Sequence, residues 1–167
     1  MFSKEDICIL TNTIFDKKCD RIDYQKNLED LYNLVIKIIN ELNIISLSKI
    51  TIKEVNLFEK EAGAALFRIY KCTPISEVEL SRKTFVQFNN SQNSALKNEA
   101  LATIYHELYH VYDKEKLFNL FGNVKIKKKE LPYYKIGVQY WSEFFAYYKN
   151  KRNVYVRLFN YAIRFCL

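Results

Sequence analysis

Apolar residues recur at helical spacing near the start of the chain. Between Tyr24 and Leu42 they return every three or four positions, which places them along one side of an α-helix. The residues on this side are Leu28, Leu31, Leu34, Val35, Ile38, Ile39 and Leu42. Ahead of this helix, the pattern predicts a short apolar helix or strand near residues 6–15 and a charged turn around residues 16–23.

The pattern changes in the middle of the chain, where short runs of β-branched and aromatic residues replace the helical spacing. These runs lie at residues 50–52, 65–70 and 78–88, and residues 85–88 are the clearest part of the third. A glycine and a proline, which break regular structure, flank them. We expect three short strands that form one small, largely antiparallel sheet.

Helical spacing resumes after a polar connector at residues 89–94, which is rich in residues that cap helices. This helix begins at Ser94 or Asn98 and continues to Leu120, and Gly122 is placed to end it. The chain therefore predicts a second, longer helix after the sheet.

The C-terminal part predicts a further helix, which follows a basic loop and Pro132. This helix begins between Ile136 and Tyr140, and a last apolar stretch at residues 154–167 has no stop signal. The order of elements is helix, small sheet, long helix, loop and helix, which predicts an α+β fold. The length of 167 residues suits a single domain over residues 1–167, or the N-terminal part of a longer chain.

Composition and charge narrow the class of protein. Hydrophobic residues make up 49% and charged residues 27%, as in ordinary globular proteins, and the 3 Gly and 2 Pro argue against a turn-rich sandwich or barrel. The net charge of +7 raises the question of nucleic-acid binding, but acidic residues lie among most of the lysines. The one dense run falls in the predicted loop, at Lys125, Lys127, Lys128 and Lys129. We expect a solvated loop there, with the docking of an acidic partner as the alternative, and no direct contact with nucleic acid.

The cysteines and the start of the chain predict a cytoplasmic protein. No CxxC pair and no regular framework is formed by Cys8, Cys19, Cys72 and Cys166, which is typical of reduced thiols. The first residues include acidic side chains where a secretory signal has basic ones, and no apolar run is long enough to cross a bilayer. We expect no membrane partner.

The two histidines of the chain flank a glutamate at the spacing of a metal site. His106 and His110 are four residues apart, and four residues of α-helix turn about 40° beyond one full turn and rise about 6 Å. Both imidazoles therefore leave the same face and can bind one Zn²⁺ ion. Glu107 points about 100° around the helix from His106, so it lies beside the ligands. There we expect it to be the catalytic base that takes a proton from a water molecule activated by the ion.

The surroundings of this motif favour a catalytic cleft. The opposite side of the same helix can be buried in a core, since it carries Leu101, Ile104, Leu108 and Val111. The histidine side is then free to line a cleft. We expect the strand predicted at residues 85–88 to run along this cleft and to pair with an extended peptide.

The third ligand has to come from outside the motif, because a catalytic zinc ion usually has three protein ligands and one open position. Asp113 lies three residues after His110, but its short side chain on the same helix suits the orientation of a ligand or a helix cap better. Glu143 is the only acidic residue of a separate predicted helix. We favour Glu143 as the ligand, and the alternative is an exposed glutamate that pairs with Lys149 or Arg152.

The motif at residues 106–110, followed by Glu143-x-x-Ala146, resembles the glutamate-zincin (gluzincin) class of metallopeptidases. The compact layout is similar to the phage- and mobile-element-associated peptidases of the ImmA/IrrE type. The resemblance implies a zincin-like minimal metallopeptidase domain, with an N-terminal helix, a small three-stranded sheet, an active-site helix and C-terminal ligand-bearing helices. It implies Zn²⁺ at His106, His110 and Glu143. It also implies that Glu107 is general base and acid in an intracellular endopeptidase, a class in which several members act on regulatory repressor proteins.

These features together predict zinc-dependent hydrolysis of a peptide bond in a protein or peptide substrate. The oxyanion needs a donor besides the ion, and three tyrosines near the start of the ligand-bearing helix are open choices: Tyr133, Tyr134 and Tyr140. One alternative is a catalytically silent zincin-like domain that binds a partner protein or senses a signal. Another is a basic, nucleic-acid-associated protein with incidental histidines. Glu107 favours the enzyme, because a domain that only binds has no use for a base there.

Overall fold

The computed structural model describes residues 2–10, 24–53, 62–89, 92–122 and 130–150. The helices are α1 (Tyr24–Leu42), α2 (Arg82–Phe88), α3 (Ser94–Phe121) and α4 (Leu131–Asn150). The strands are β1 (Ile7–Leu10), β2 (Leu47–Lys53), β3 (Gly63–Tyr70) and β4 (Thr73–Ser81), and a 3-10 turn at Lys4–Asp6 precedes β1. None of the helices in these ranges combines the length and the apolar character that crossing a bilayer requires.

Several predicted features fall outside the described residues. They are the turn at residues 16–23, the lysine run at residues 125–129, the apolar stretch at residues 154–167, and two of the cysteines, Cys19 and Cys166. The other two cysteines, Cys8 and Cys72, are free thiols.

The strands form one mixed sheet in the order β1-β2-β4-β3. β1 is parallel to β2 and β2 is parallel to β4, whereas β3 is antiparallel to β4 and lies at the edge. The predicted α+β class is confirmed, but the prediction of three largely antiparallel strands is wrong. The additional strand is β1, which comes from the run predicted at residues 6–15 to be a helix or a strand. It can pair in parallel with β2 because α1 supplies the crossover that such a pair requires.

The strand predicted at residues 85–88 is wrong, because these residues belong to α2. β4 ends at Ser81, and the Ser81 Oγ caps α2 by accepting a hydrogen bond from the Thr84 amide at 3.1 Å. Phe85 and Phe88 are both buried, and their separation of three positions fits one face of a helix. The strand that lies at the sheet edge and contacts α3 is β3.

Three helices contribute apolar side chains to one hydrophobic core: α1, α3 and the short α2, which buries Phe85 and Phe88. The predicted first helix is confirmed as α1, and it buries Leu31, Val35 and Ile38. The predicted core side of the long helix is also confirmed, since α3 buries Ile104, Leu108 and Val111. These side chains share the core with the inner positions of β2 and β4, which are Leu47, Ile50, Ile52, Val78 and Leu80.

A buried carboxylate fixes the position of α3 relative to the sheet. Glu115 is 3% exposed, and its Oε2 accepts hydrogen bonds from the backbone amides of Ile45 at 3.1 Å and Ser46 at 2.9 Å. Ser46 directly precedes β2, so this contact ties the helix to the start of a central strand. Because a carboxylate held by two amides is a strong anchor, the site-bearing helix is held firmly in place.

The last helix begins earlier than its sequence pattern indicates, at Leu131 instead of between Ile136 and Tyr140. Pro132 lies in the first turn, where the missing amide hydrogen costs no helical hydrogen bond. α4 packs on α3 through the Phe145 ring, which stacks on Tyr112 at 6.0 Å between ring centroids. Its outer side leaves several large apolar side chains exposed: Tyr133, Ile136, Tyr140, Phe144 and Tyr148.

Candidate metal centre

The two histidines of α3 project from one face of the helix toward a common point. The Nε2 atoms of His106 and His110 lie 3.0 Å apart, and the two rings meet edge to face with 4.5 Å between their centroids. This arrangement follows from their spacing of four residues on a continuous helix. His110 is buried, whereas His106 is half-buried, so the pair lies at the rim of a cleft.

Glu143 of α4 meets the histidine pair. Its Oε2 lies 3.6 Å from the His106 Nε2, and its Oε1 lies 3.4 Å from the His110 Nε2. Interaction with the two imidazoles holds the pKa of Glu143 well below its usual range. The alternative partner Lys149 lies over the Phe145 ring, with its Nζ 5.6 Å from the ring centroid. Arg152, the other alternative, lies outside the described residues.

The three side chains form a group that could hold a metal ion, with their ligand atoms all within 4.8 Å of one another. Three atoms bound tetrahedrally to one ion at 2.0–2.1 Å lie about 3.3 Å from one another. The two histidine nitrogens lie 3.0 Å apart, and each lies 3.4 or 3.6 Å from a different oxygen of Glu143, so all three separations are close to that value. Two imidazole nitrogens and one carboxylate oxygen are also a common ligand set of catalytic zinc. The residues therefore fit an ion of this size and leave one coordination position for water.

The ring of His110 is oriented from behind by Ser142. The Ser142 Oγ lies 2.8 Å from the His110 Nδ1, and both side chains are buried. Because the bond occupies Nδ1, the other nitrogen is directed at the metal group. Sequence reasoning missed Ser142, since only the packing of α4 against α3 brings it behind the ring.

Asp113 lies outside the metal group and connects α3 to α4. Its Oδ1 accepts a hydrogen bond from the indole Nε1 of Trp141 at 3.2 Å. Burial raises the pKa of Asp113, and hydrogen bonding by Ser142 and Trp141 partly offsets this effect. The carboxylate thus lies next to the serine that contacts His110, in a position to orient the site.

Glu107 lies beside the metal group and is buried, with 6% of its surface exposed. Burial raises its pKa, and the charges of His106 and His110 partly offset that rise. The first residue of β3 packs directly on this side chain. A Cβ atom added to Gly63 would lie 2.8 Å from the Glu107 Cγ and 3.2 Å from the Thr103 Cγ2.

With Glu107 as the catalytic base that the sequence predicts, replacing Gly63 with alanine is expected to lower kcat at least about tenfold, because the new methyl group displaces the Glu107 carboxylate from the metal group. Metal stoichiometry should stay unchanged, since no ligand is altered. The matched control is Gly137→Ala on α4, where an added Cβ meets no atom within 4 Å. Steady-state kinetics with metal analysis make this test, and equal kcat values for both variants would contradict it.

A lysine that the motif does not include also faces the site. Lys114 lies one turn after His110, and its Nζ donates a hydrogen bond to the Ala65 carbonyl of β3 at 3.0 Å. Burial lowers the pKa of Lys114, and the negative charges of Glu107 and Glu143 partly offset this decrease. The sequence-based predictions did not include Lys114, although its spacing of four residues from His110 places both on the same side of α3.

Two of the three tyrosines considered as oxyanion donors, Tyr133 and Tyr140, are not brought to the metal group. Tyr133 is 78% exposed and Tyr140 is 59% exposed, and neither lines the cavity beside the histidines. The side chain of Tyr134 lies outside the described part of the chain. The structure therefore does not favour Tyr133 or Tyr140, and Tyr134 stays a prediction.

Comparison with protein-family models, with curated proteins and with solved structures found no match to this chain. The geometry of the site is therefore the ground on which a function can be assigned.

Proposed function

We propose that this protein is a zinc-dependent endopeptidase that hydrolyses peptide bonds in a protein or peptide substrate. The observation that carries this proposal is the convergence of His106, His110 and Glu143 from two helices, where the histidine nitrogens lie 3.0 Å apart and 3.4–3.6 Å from the Glu143 carboxylate. Glu107 accompanies them as a buried carboxylate on the same helix as the histidines. A site that only stores a metal has no need of this fourth group.

The chemistry divides between the ion and the protein. When bound, Zn²⁺ supplies Lewis acidity that makes water acidic enough to lose a proton near neutral pH. Glu107 accepts that proton and later gives it to the amine that leaves. Its raised pKa suits both steps, because a general base works best when its pKa lies close to the working pH. Ser142 keeps the His110 ring in the orientation that directs its Nε2 at the site.

We assign the substrate-binding edge to β3, which takes over the role first expected of residues 85–88. β3 pairs with β4 on one side only, and its other edge is open in the described part of the sheet. An extended peptide can add to such an edge through main-chain hydrogen bonds. Since Gly63 contacts Glu107, a peptide bound near the start of β3 passes close to the base.

The class and location of the enzyme belong to the same proposal. The order of motif and third ligand supports the gluzincin class, with a zincin-like domain similar to the ImmA/IrrE type. The free thiols of Cys8 and Cys72 support action inside the cell, in the cytoplasm. A regulatory protein is the kind of target that this resemblance suggests.

The test measures metal content and peptide cleavage on the same preparation. We expect about one zinc ion per chain and cleavage of peptides in a mixed library, detected by mass spectrometry. A chelator should stop cleavage, and zinc should restore it. Stoichiometric zinc without cleavage of any peptide would favour the catalytically silent domain. Absence of bound zinc together with salt-sensitive DNA binding would favour the nucleic-acid alternative.

A further inference from the structure

Beside the metal group lies a cavity with an excess of positive charge. Its volume is about 370 Å³, at the lower end of small-ligand sites, and His110 and Glu143 form the side nearest the candidate metal position. Lys114 comes from α3, and Lys135, Val138 and Gln139 come from α4. Glu143 is the one carboxylate in this described lining, and it is directed at the histidines.

The two lysines of the cavity differ in their exposure and in their hydrogen bonds. Lys114 is half-buried, and within the described ranges the Ala65 carbonyl is its one hydrogen-bond acceptor. An ammonium group has three donors, so a partly desolvated one can accept a further anionic partner. Lys135 is exposed, and among the described residues it has neither an ion pair nor a hydrogen bond. With a divalent ion at the histidines, the cavity would face a ligand with three sources of positive charge.

We propose that this cavity binds a carboxylate of the substrate, from an acidic side chain next to the bond that is cleaved. This inference rests on the proposed peptidase function. The cavity adjoins His110 and Glu143, so a side chain bound there belongs to a residue close to the scissile bond. Val138 contributes an apolar wall for the methylene groups of such a side chain, and the Gln139 amide can donate a hydrogen bond to the carboxylate.

The test compares peptides that differ only in one carboxylate. One series carries Glu or Gln at each position beside the scissile bond, with both termini blocked. A second series has neutral side chains and a free terminal carboxylate. The enzymes are the wild type, Lys135→Glu, and the matched control Lys149→Glu, which reverses a charge on the same helix away from the cavity. Lys135 is exposed, so its replacement leaves the packing of the core unchanged.

We expect wild type and Lys149→Glu to prefer Glu over Gln about tenfold in kcat/KM, as a charge-assisted bond in a half-buried site allows. In Lys135→Glu the preference should disappear. The dependence on Lys135 separates this effect from a simple attraction between carboxylate and metal. If only the free terminal carboxylate of the second series raises kcat/KM relative to a blocked terminus, and Lys135→Glu removes this gain, the cavity binds the chain terminus and the assignment to a side chain is overturned.

Failure of this inference can be told from failure of the peptidase function. Cleavage of neutral peptides without any preference for a carboxylate would overturn the inference and leave the enzyme intact. If no peptide is cleaved, calorimetric binding of the blocked Glu and Gln peptides to the Glu107→Gln protein decides. Tighter binding of the Glu peptide that is lost in Glu107→Gln/Lys135→Glu supports the cavity, and equal binding of both peptides overturns it.

Discussion

Replacing Glu107 with glutamine is expected to lower kcat by at least about a hundredfold while zinc remains bound, because the amide cannot accept a proton from water. The substitution keeps the size of the side chain, so its packing against Gly63 is preserved. The measurement is kcat on a peptide that the wild type cleaves, together with zinc content by elemental analysis. The combination of retained metal and lost turnover separates a base from a ligand.

The matched control is Glu99→Gln, which changes an exposed carboxylate on the same helix. It should leave both kcat and zinc content unchanged. Preserved turnover in Glu107→Gln would remove the proposed mechanism, since that mechanism assigns the proton transfer to this carboxylate alone.

Removing the carboxylate of α4 by Glu143→Ala is expected to weaken zinc binding by more than about a hundredfold, beyond the usual effect of losing an outer partner of a ligand. Two imidazoles would remain, which is one ligand fewer than a catalytic zinc site needs. Titration of the metal-free protein with zinc, in competition with a chelator of known affinity, measures the change. Because a ligand that binds only the folded state stabilises it, the zinc-dependent rise in Tm should disappear as well.

Glu130→Ala is the control for this variant, because Glu130 is exposed and directly precedes α4. It should bind zinc as the wild type does. Retention of full affinity in Glu143→Ala would exclude Glu143 from the ligand set. Asp113→Ala would then become the next variant to measure, since Asp113 was the competing candidate on α3.

The parts of the fold that could be predicted from the sequence are those governed by local spacing. α1 was predicted with its observed bounds. α3 was predicted to begin at Ser94 or Asn98, and it begins at Ser94, where the Asn93 side chain caps it. The error at residues 85–88 arose because these four residues, Phe-Val-Gln-Phe, are too few for their apolar positions to distinguish a strand from a helix. In the structure, the Thr84 amide donates a hydrogen bond to the Ser81 side chain, and this bond caps the start of α2. The sequence around Ser81 resembles a strand, so it did not indicate that a helix begins there.

The sheet could not be predicted because its register depends on contacts between distant residues. β1 pairs with β2 across the whole of α1, and such parallel pairing has no short turn to signal it. The β3–β4 turn carries Lys71 and Cys72 in the left-handed region, with φ of 47° and 62°, where Asn or Gly is usual. Its residues therefore did not mark a hairpin.

The residues of the candidate site likewise divide into those that the sequence could predict and those that depend on how the helices pack. The prediction that Glu143 accompanies the histidine pair rested on chemistry, because a catalytic zinc site requires a third donor. Ser142 and Lys114 could not be selected in that way, since serines and lysines are common throughout the chain. Only the packing of α4 against α3 makes Ser142 contact His110 and forms the cavity that Lys114 lines.

The division of the metal group between two helices has a mechanical consequence. α3 is anchored in the core and is tied to the start of β2 by Glu115. The described contacts of α4 are mostly with α3, and they involve the buried Ala146 and the ring of Phe145. An ion bound by His106, His110 and Glu143 would link α4 to α3 and so stabilise the docking of α4 on the rest of the molecule. Metal binding and helix docking are then linked, so a change that reduces the population of docked α4 lowers the apparent affinity for zinc in the same proportion.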